Sequence, residues 1–237
     1  MPLIRLDKLI SECGIASRKE IKLMAKQGRI TLNGKPVKTT DVKFDPSQAE
    51  VCVDGKKVEY SKFRYYMLNK PDGVLSATDD GKQKTVLDLV TPEMKKMGLF
   101  PVGRLDKDTT GLLLLTNDGE FAHRVISPKS EIVKVYHAHT EHPVNSQDIQ
   151  AFSEGIVLAD GTKCLPAELE LLDDGSCLVK VMEGKYHQVK RMLASCGKPV
   201  TALKRLSIGG LKLDEALKSG EFRALTENEL CIVMMGK

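Results

Sequence analysis

The 237-residue chain has no tryptophan, few other aromatic residues and no long uninterrupted run of apolar side chains. Aromatic residues make up 5% of the chain, although apolar residues together make up 41%. A membrane-spanning helix needs about 20 consecutive apolar residues, and the first residues lack the apolar stretch of a secretion signal. We therefore expect a soluble, cytoplasmic protein with no membrane partner and a substantial hydrophobic core.

Patterns for disulfides, metal ions and nucleotide cofactors are also missing. The six cysteines are scattered, with no Cys-x-x-Cys pair and no nearby histidine cluster, so reduced thiols, mostly packed inside, fit best. His137 and His139 alternate on a predicted strand, but no further ligand stands at a useful spacing. No Gly-x-Gly-x-x-Gly, Walker or Gly-x-Ser-x-Gly motif occurs. We expect no cofactor and no metal.

Charge is distributed unevenly along a chain whose net charge is only +4. The first 43 residues hold ten basic and four acidic residues, so the remainder carries a net charge of −2. A module this basic suits a polyanion, because each neutralised phosphate releases counterions. A solvated helix face is the alternative interpretation. The side chains that we predict to contact the polyanion are Arg5, Arg18, Lys19, Lys22, Lys26 and Arg29.

Local signals predict how this amino-terminal module folds. The capping box Ser17-Arg-Lys-Glu20 predicts a helix from residue 18 to Gly28, preceded by a shorter helix. Asn33-Gly34 between β-forming residues predicts a hairpin. A polar stretch follows before the next strand, which places a domain boundary near residue 62. We therefore predict a small domain over residues 1–61 and a larger one over residues 62–237.

The larger domain is predicted to be of the α+β class, because many strands alternate with helices without a regular βαβ repeat. We expect a mixed, mainly antiparallel sheet with flanking helices. Among its elements, Leu112 to Thr116 is predicted to be a buried strand, Tyr186 to Cys196 a helix, and Leu230 to Met234 a final strand.

One carboxylate in this domain has an unusual setting. Asp106 lies between Arg104 and Lys107, shortly before the run Gly111-Leu-Leu-Leu-Leu. The buried leucines can hold the preceding loop rigidly, while glycine permits backbone shapes that other residues resist. Taken alone, an ordinary polar loop entering a strand would explain these residues.

Two further constellations follow. Lys134 and Tyr136 lie two residues apart and therefore on one face of a strand, where a half-buried tyrosine is the alternative. The segment Glu183-Gly-Lys-Tyr-His-Gln-Val-Lys-Arg-Met brings His187, Lys190 and Arg191 within one helical turn. That cluster is either a second phosphate-binding patch or a solvated helix face.

Arg5-Leu-Asp-Lys-Leu-Ile, Ala16-Ser-Arg-Lys-Glu and Gly28-Arg-Ile-Thr-Leu-Asn-Gly-Lys-Pro-Val together resemble an S4 domain over about residues 1 to 60. The resemblance implies binding to structured RNA. In the larger domain, the Asp106 segment, Lys134-Val-Tyr136 and the Glu183 segment resemble the RsuA-type family of RNA pseudouridine synthases. Arg64-Tyr-Tyr-Met-Leu-Asn-Lys-Pro and Lys204-Arg-Leu-Ser-Ile-Gly-Gly stand in register with the same family.

The resemblance implies that Asp106 is the catalytic aspartate, which forms a covalent adduct while uracil detaches through N1 and reattaches through C5. Lys190 matches the basic partner of the aspartate, and Tyr136 matches the tyrosine that packs on the uracil ring. Arg104, in the aspartate motif, would help to hold the flipped nucleotide open, with His187 and Arg191 as further RNA contacts. The order of the covalent steps is left open.

The branch that modifies 16S rRNA, at position 516 in standard rRNA numbering, is the most similar one. The predicted partner is ribosomal RNA or an assembling ribosomal subunit, and we expect a monomer. A 23S rRNA uridine is the alternative target. A non-catalytic S4-type RNA-binding or ribosome-associated protein is an alternative of a different class, as is a magnesium nuclease using Asp106, Asp108 and Asp118.

Overall fold

The computed structural model describes residues 3–235. The chain forms two compact units. One contains the residues up to Arg64 together with Val90–Leu99, and the other contains Tyr65–Leu89 and the residues from Phe100 onward. The sequence predicted a single boundary, between residues 61 and 62. It did not predict that Val90–Leu99 belongs to the first unit, because a short segment that packs on an earlier domain leaves no local signal.

The first unit consists of short strands and three helices. Its elements are β1 (Ile4–Arg5), α1 (Leu6–Glu12), α2 (Arg18–Lys26), β2 (Ile30–Leu32), β3 (Lys35–Pro36), β4 (Lys43–Phe44), β5 (Val51–Val53), β6 (Lys56–Lys57) and α3 (Pro92–Lys96). Strand β1 pairs with β4, and the other strands form a sheet in the order β3-β2-β5-β6.

The predicted capping box starts α2. The Ser17 Oγ accepts from the Glu20 amide at 3.4 Å, and the Glu20 carboxylate accepts from the Ser17 amide at 2.7 Å. Leu6, Leu9 and Ile21 are buried in one apolar core with residues of β2 and β5. The predicted hairpin at Asn33-Gly34 is present as β2 and β3.

The second unit is built on one large sheet. Its elements are β7 (Tyr65–Lys70), β8 (Phe100–Pro101), β9 (Thr109–Thr116), α4 (Gly119–Ile126), β10 (Lys134–Thr140), α5 (Ser146–Glu154), β11 (Glu168–Leu171), β12 (Cys177–Val181), α6 (Gln188–Ser195), β13 (Val200–Ile208), β14 (Leu211–Lys212), β15 (Phe222–Ala224) and α7 (Glu227–Met234), with short 3₁₀ helices at Val86–Asp88 and Pro128–Ser130. The nine strands follow the order β11-β12-β10-β13-β9-β7-β15, with β14 on β13 and β8 on β9.

The sheet is mixed and mainly antiparallel, as predicted. Strands β9 and β13 run parallel, from the pair Thr109 and Leu203 to the pair Gly111 and Arg205. Gly111 has a φ of +97°, and a Cβ atom there would lie 2.9 Å from the Arg205 backbone nitrogen. Glycine at this position therefore permits the close approach of the two strands.

A separate apolar core forms on each side of this parallel pair in the sheet. One core joins helices α5 and α6 to β10 and β12 and includes Phe152 and Met192. The other joins α4 and α7 to β7 and β9 and includes Phe121 and Val233. Because β9 and β13 run parallel, the loops that precede these two strands lie at the same end of the sheet.

Several elements differ from the sequence-based predictions. The predicted final strand at Leu230 to Met234 is wrong, because this segment belongs to helix α7. Thr226 and Glu229 form a capping box that starts α7 and outweighs the β-forming residues within it. Strand β15 and helix α3 were not predicted.

Two of the six cysteines are buried, three are half-buried and Cys231 is exposed, which is fewer buried thiols than expected. Within residues 3–235, no helix is long and apolar enough to cross a membrane.

Candidate active site

Asp106 lies in the loop of residues 103–108, here called the Asp106 loop, which leads into β9. Leu112 to Leu115 in that strand are each at most 1% exposed, so the loop is attached to a rigid support. Ser76 also holds the loop, since its hydroxyl donates to the Leu105 carbonyl at 2.9 Å and accepts from the Leu105 amide at 3.0 Å.

Lys70, at the end of β7, holds the Asp106 loop through hydrogen bonds to backbone carbonyls. Its ammonium donates to the carbonyl oxygens of Pro71, Lys107 and Thr109 at 2.9 to 3.0 Å. The side chain is 0% exposed, and burial lowers the Lys70 pKa from 10.5 to about 8. The role of this lysine was not predicted from sequence, because its carbonyl partners Lys107 and Thr109 lie 37 and 39 residues away.

The Asp106 carboxylate faces two basic side chains. Its Oδ1 lies 3.5 Å from His187 Nε2, and its Oδ2 lies 3.6 Å from Lys190 Nζ. Both separations are longer than a good hydrogen bond. The carboxylate is 23% exposed and keeps oxygen lone pairs free for a substrate.

Lys190 is shared between two carboxylates. Its Nζ lies 2.5 Å from the Oδ1 of Asp108, which is 70% exposed. The hydrogen bond from Lys190 lowers the pKa of Asp108. Lys107, the sequence neighbour of Asp106, instead donates to the Gln83 side chain. Lys190 is thus the lysine that faces Asp106, and its contact with Asp108 was not predicted.

His187 does not belong to the helix that was predicted from Tyr186 to Cys196. Helix α6 spans Gln188–Ser195, and His187 precedes it in a left-handed conformation with φ 49° and ψ 34°. The Gln188 side chain explains the later start. Its oxygen accepts from the Lys185 amide and its nitrogen donates to Glu183, both at 2.9 Å, so a tight turn comes before the helix.

Tyr136 lies half-buried on β10, beside an arginine that was not predicted. Arg205 Nη1 donates to the Tyr136 hydroxyl at 3.4 Å, and the guanidinium carbon lies 5.9 Å from the ring centre. Arg205 is 4% exposed, and its Nε donates to the Leu112 carbonyl at 2.7 Å. Its Nη2 has no hydrogen-bond partner among the described residues. Arg205 therefore links Tyr136 to the strand that follows the Asp106 loop.

Lys134 and Tyr136 lie two residues apart on a strand, β10, as predicted. Lys134 is 7% exposed, and its Nζ donates to the Met182 carbonyl at 3.5 Å. Burial, with a smaller contribution from the positive charge of Arg205, lowers the Lys134 pKa from 10.5 to about 8. Two cations therefore lie close together inside this part of the sheet.

A small pocket of about 60 Å³ lies between the Asp106 loop, β10 and the turn before α6. Its lining includes Arg104, Asp106, Thr109, Tyr136 and His187. The Thr109 hydroxyl is buried and unpaired within residues 3–235. A carboxylate, a phenol and several donors thus converge on one pocket.

The other predicted RNA contacts lie in different environments. Arg18, Lys19, Lys22 and Lys26 are exposed on α2, on the side opposite its buried residues. The remaining three are bound to carboxylates in the pairs Arg5–Asp7, Arg29–Asp54 and Arg191–Asp160. Contact of any of these residues with RNA stays a prediction.

The magnesium alternative finds little support in this geometry. Asp118 caps α4, accepting from the Glu120 and Phe121 amides, and it also accepts from the Tyr65 hydroxyl at 2.7 Å. Eight-residue β9 separates it from the Asp106 loop, a span of roughly 23 Å. Among the described residues, no group of three or more His, Cys, Asp or Glu side chains is arranged to hold a metal ion.

Comparisons with known proteins assign the chain to a family and agree with this fold. The model of the family described as RNA pseudouridylate synthase matches residues 64–195, and the S4 domain model matches residues 4–48. The chain therefore belongs to the RNA pseudouridine synthase family and carries an S4 domain. It is an RNA-modifying isomerase.

Particular relatives extend the match over nearly the whole chain. "Uncharacterized RNA pseudouridine synthase YtzG" of Bacillus subtilis (strain 168) is 48% identical over 96% of this chain and 97% of its own length. "Ribosomal small subunit pseudouridine synthase A" of Escherichia coli (strain K12) is 39% identical over 98% of this chain and 100% of its own. One solved structure, "Crystal structure of pseudouridylate synthase", matches with a TM-score of 0.69 and 37% identity over 97% of this chain and 99% of that chain. The predicted resemblance to the RsuA-type family is confirmed.

Proposed function

We propose that this enzyme isomerises a uridine of 16S rRNA to pseudouridine and that Asp106 is its nucleophile. The observation that carries the proposal is the position of the Asp106 carboxylate, 3.6 Å from Lys190 Nζ, at a pocket that Tyr136 also lines. A nucleophilic carboxylate must be ionised, and a neighbouring cation favours the ionised form. His187, 3.5 Å from the same carboxylate, adds a donor that is cationic when protonated.

Isomerisation requires no second reactant. The bond between uracil N1 and ribose C1′ breaks, the base turns, a bond forms between C5 and C1′, C5 loses its proton, and N1 takes up a proton. Product and substrate therefore contain the same atoms. Asp106 assists by forming a covalent adduct with the nucleotide, and Tyr136 packs on the ring and assists the proton transfer from C5.

The target nucleotide must leave its stack before its glycosidic bond can be reached. Extruding a base costs a few kcal/mol, which phosphate contacts and stacking offset. Arg104 lines the pocket and is suited to hold the nucleotide open. The exposed cations of α2 supply phosphate contacts on ribosomal RNA or on an assembling subunit.

The choice of 16S rRNA is supported by relatives of nearly full length. The Escherichia coli relative is named for the small ribosomal subunit, as is a Vibrio cholerae relative that is 39% identical over 97% of this chain. The name of the Bacillus subtilis relative states no target. Carbodiimide-based mapping of pseudouridine in rRNA from cells with and without this protein tests the choice. We expect one 16S signal to disappear, at position 516; loss of a 23S signal would instead support the alternative target.

The role of Asp106 is tested by Asp106→Asn. The change removes a nucleophile but no phosphate contact, so we expect turnover to fall by about 10⁴-fold or more while RNA affinity changes little. Turnover is measured in a single-turnover assay that follows proton release from C5.

Asp108→Asn is the matched control, because it removes the same charge two residues away and also touches Lys190. We expect this variant to retain turnover within about tenfold of the unmodified protein. An active Asp106→Asn protein would contradict the catalytic assignment.

A further inference from the structure

Tyr186 presents an aromatic ring to solvent at the edge of the active site. It is 75% exposed, whereas every other tyrosine and phenylalanine, all within the described residues, is at least half-buried. Apolar ring surface is normally removed from water when a chain folds. This exposed ring therefore needs an explanation in terms of what it contacts during function.

The ring stacks on its sequence neighbour. Tyr186 and His187 stack with 3.8 Å between ring centroids and an angle of 17° between ring planes. His187 has the left-handed backbone described above, and its Nε2 lies 3.5 Å from Asp106. Arg191 Nη1 donates to the Tyr186 carbonyl at 3.4 Å. The stack is thus tied on one side to the catalytic carboxylate and on the other to α6.

We propose that the Tyr186–His187 stack binds the unpaired base next to the target uridine in the RNA strand. One face of Tyr186 is covered by His187, and the high exposure of the ring leaves the other face free to stack on a base. Every nucleobase has a flat π face, so an aromatic ring takes it up with little dependence on sequence. Arg104 and Lys190 near the same pocket provide charge for the adjoining phosphates.

His187 adopts a left-handed conformation, which only a few per cent of residues other than glycine adopt, histidine more often than most. That conformation turns His187 toward Asp106 and leaves Tyr186 beside it. A base held there would keep the strand extended while the target nucleotide occupies the pocket. The inference rests on the proposed function, because it assumes that a uridine reacts at Asp106.

The test combines protein variants with modified RNA. Tyr186→Ala, Tyr186→Leu and Tyr186→Phe are assayed on a short RNA that contains the mapped uridine, and on two copies in which the base on its 5′ or its 3′ side is replaced by an abasic site. We expect Tyr186→Ala and Tyr186→Leu to lower kcat/KM about tenfold on the complete RNA, equivalent to about 1.4 kcal/mol. Tyr186→Phe should keep most of the activity, because it keeps the aromatic ring.

The abasic RNAs separate stacking from a merely structural role. On one of the two abasic RNAs, the kcat/KM of the unmodified protein should be about tenfold lower than on the complete RNA. On that same RNA, Tyr186→Ala should lower kcat/KM no further. 2-Aminopurine at that position should be quenched by the unmodified protein and by Tyr186→Phe but not by Tyr186→Ala. Leu171→Ala, which alters an exposed apolar side chain on β11, is the control and should change none of these values.

The outcomes are distinct. If Tyr186→Ala loses the same factor on all three RNAs, the ring has a structural role and the inference is wrong. If Tyr186→Ala leaves kcat/KM unchanged on the complete RNA, the ring serves another partner, such as a peptide, and the inference is again wrong. If the unmodified protein forms no pseudouridine in the mapped RNA, the proposed function fails, and this inference fails with it.

Discussion

At the scale of single residues, the candidate site is organised by buried cations that bind carbonyl oxygens. Lys70 supports the Asp106 loop through three carbonyls, and Arg205 joins Tyr136 to the Leu112 carbonyl. Buried charges are costly unless hydrogen-bonded, so these contacts indicate that the surrounding backbone is held firmly. Arg104, Asp106, Tyr136 and His187, which line the pocket, could be singled out from sequence motifs, but these supporting contacts could not, because they join distant segments.

Lys134 makes the stability of the folded state depend on pH in the alkaline range. Its pKa falls from 10.5 to about 8 on burial, so the unfolded chain binds more protons between these values and stability rises with pH. Burial of the charged Lys134 ammonium lowers the free energy of unfolding by its full amount below pH 8, and this cost disappears as the pH rises toward 10.5. In Lys134→Met, the gain in unfolding free energy between pH 7 and pH 9.5 should be smaller by about 2 kcal/mol.

Urea titrations at several pH values measure this difference directly. Because Lys70 also has a pKa near 8, only the difference between the two proteins isolates Lys134. Lys212→Met, at an exposed position on β14, serves as the control and should behave like the unmodified protein. Parallel pH profiles for all three proteins would show that Lys134 does not titrate in this range.

At the scale of elements, prediction succeeded where a short stretch carries its own signal. The Ser17 capping box and the Asn33-Gly34 turn act within a few residues, and α2 and the first hairpin were predicted correctly. Helix α7 was mistaken for a strand because Cys231, Ile232 and Val233 have β-forming character, and the capping box preceding them was overlooked. The later start of α6 depends on side-chain contacts of Gln188 that no periodicity reveals.

The capping box of α7 should make a measurable contribution to stability. The Thr226 side chain accepts from the Glu229 amide at 3.2 Å, and Val233 of this helix is fully buried in the core with β7 and β9. Thr226→Ala leaves that amide without its partner, so we expect the free energy of unfolding to fall by about 1 kcal/mol. Urea denaturation followed by circular dichroism gives the value. Thr78→Ala, in an exposed loop, should change it by less than about 0.5 kcal/mol.

At the scale of the whole molecule, the basic surplus and the candidate active site belong to different parts of the chain. The basic surplus lies in the first 43 residues, whereas the Asp106 pocket belongs to the second unit. The fold class could be predicted because it follows from element type and order. The return of Val90–Leu99 to the first unit could not, since that packing leaves no local pattern.

This division predicts that RNA affinity can be weakened without damage to the chemical step. Reversing Arg18, Lys19 and Lys22 to glutamate removes exposed cations of α2 and leaves its buried face unchanged. Each lost phosphate contact should reduce the slope of log affinity against log salt by about 1. We therefore expect weaker binding at low salt, a slope lower by about 2 to 3, and an unchanged rate at saturating RNA.

A control with the same total charge separates specific phosphate contacts from the general field of the protein. Reversing Lys56, Lys212 and Lys218, which are exposed outside α2, changes the net charge equally. A long-range field would weaken both proteins alike and would be screened beyond about 10 Å at 0.1 M salt. Direct contacts would lower the salt slope of the α2 variant only. Equal slopes in the two variants would exclude α2 as the phosphate-binding surface, whatever the loss of affinity at low salt.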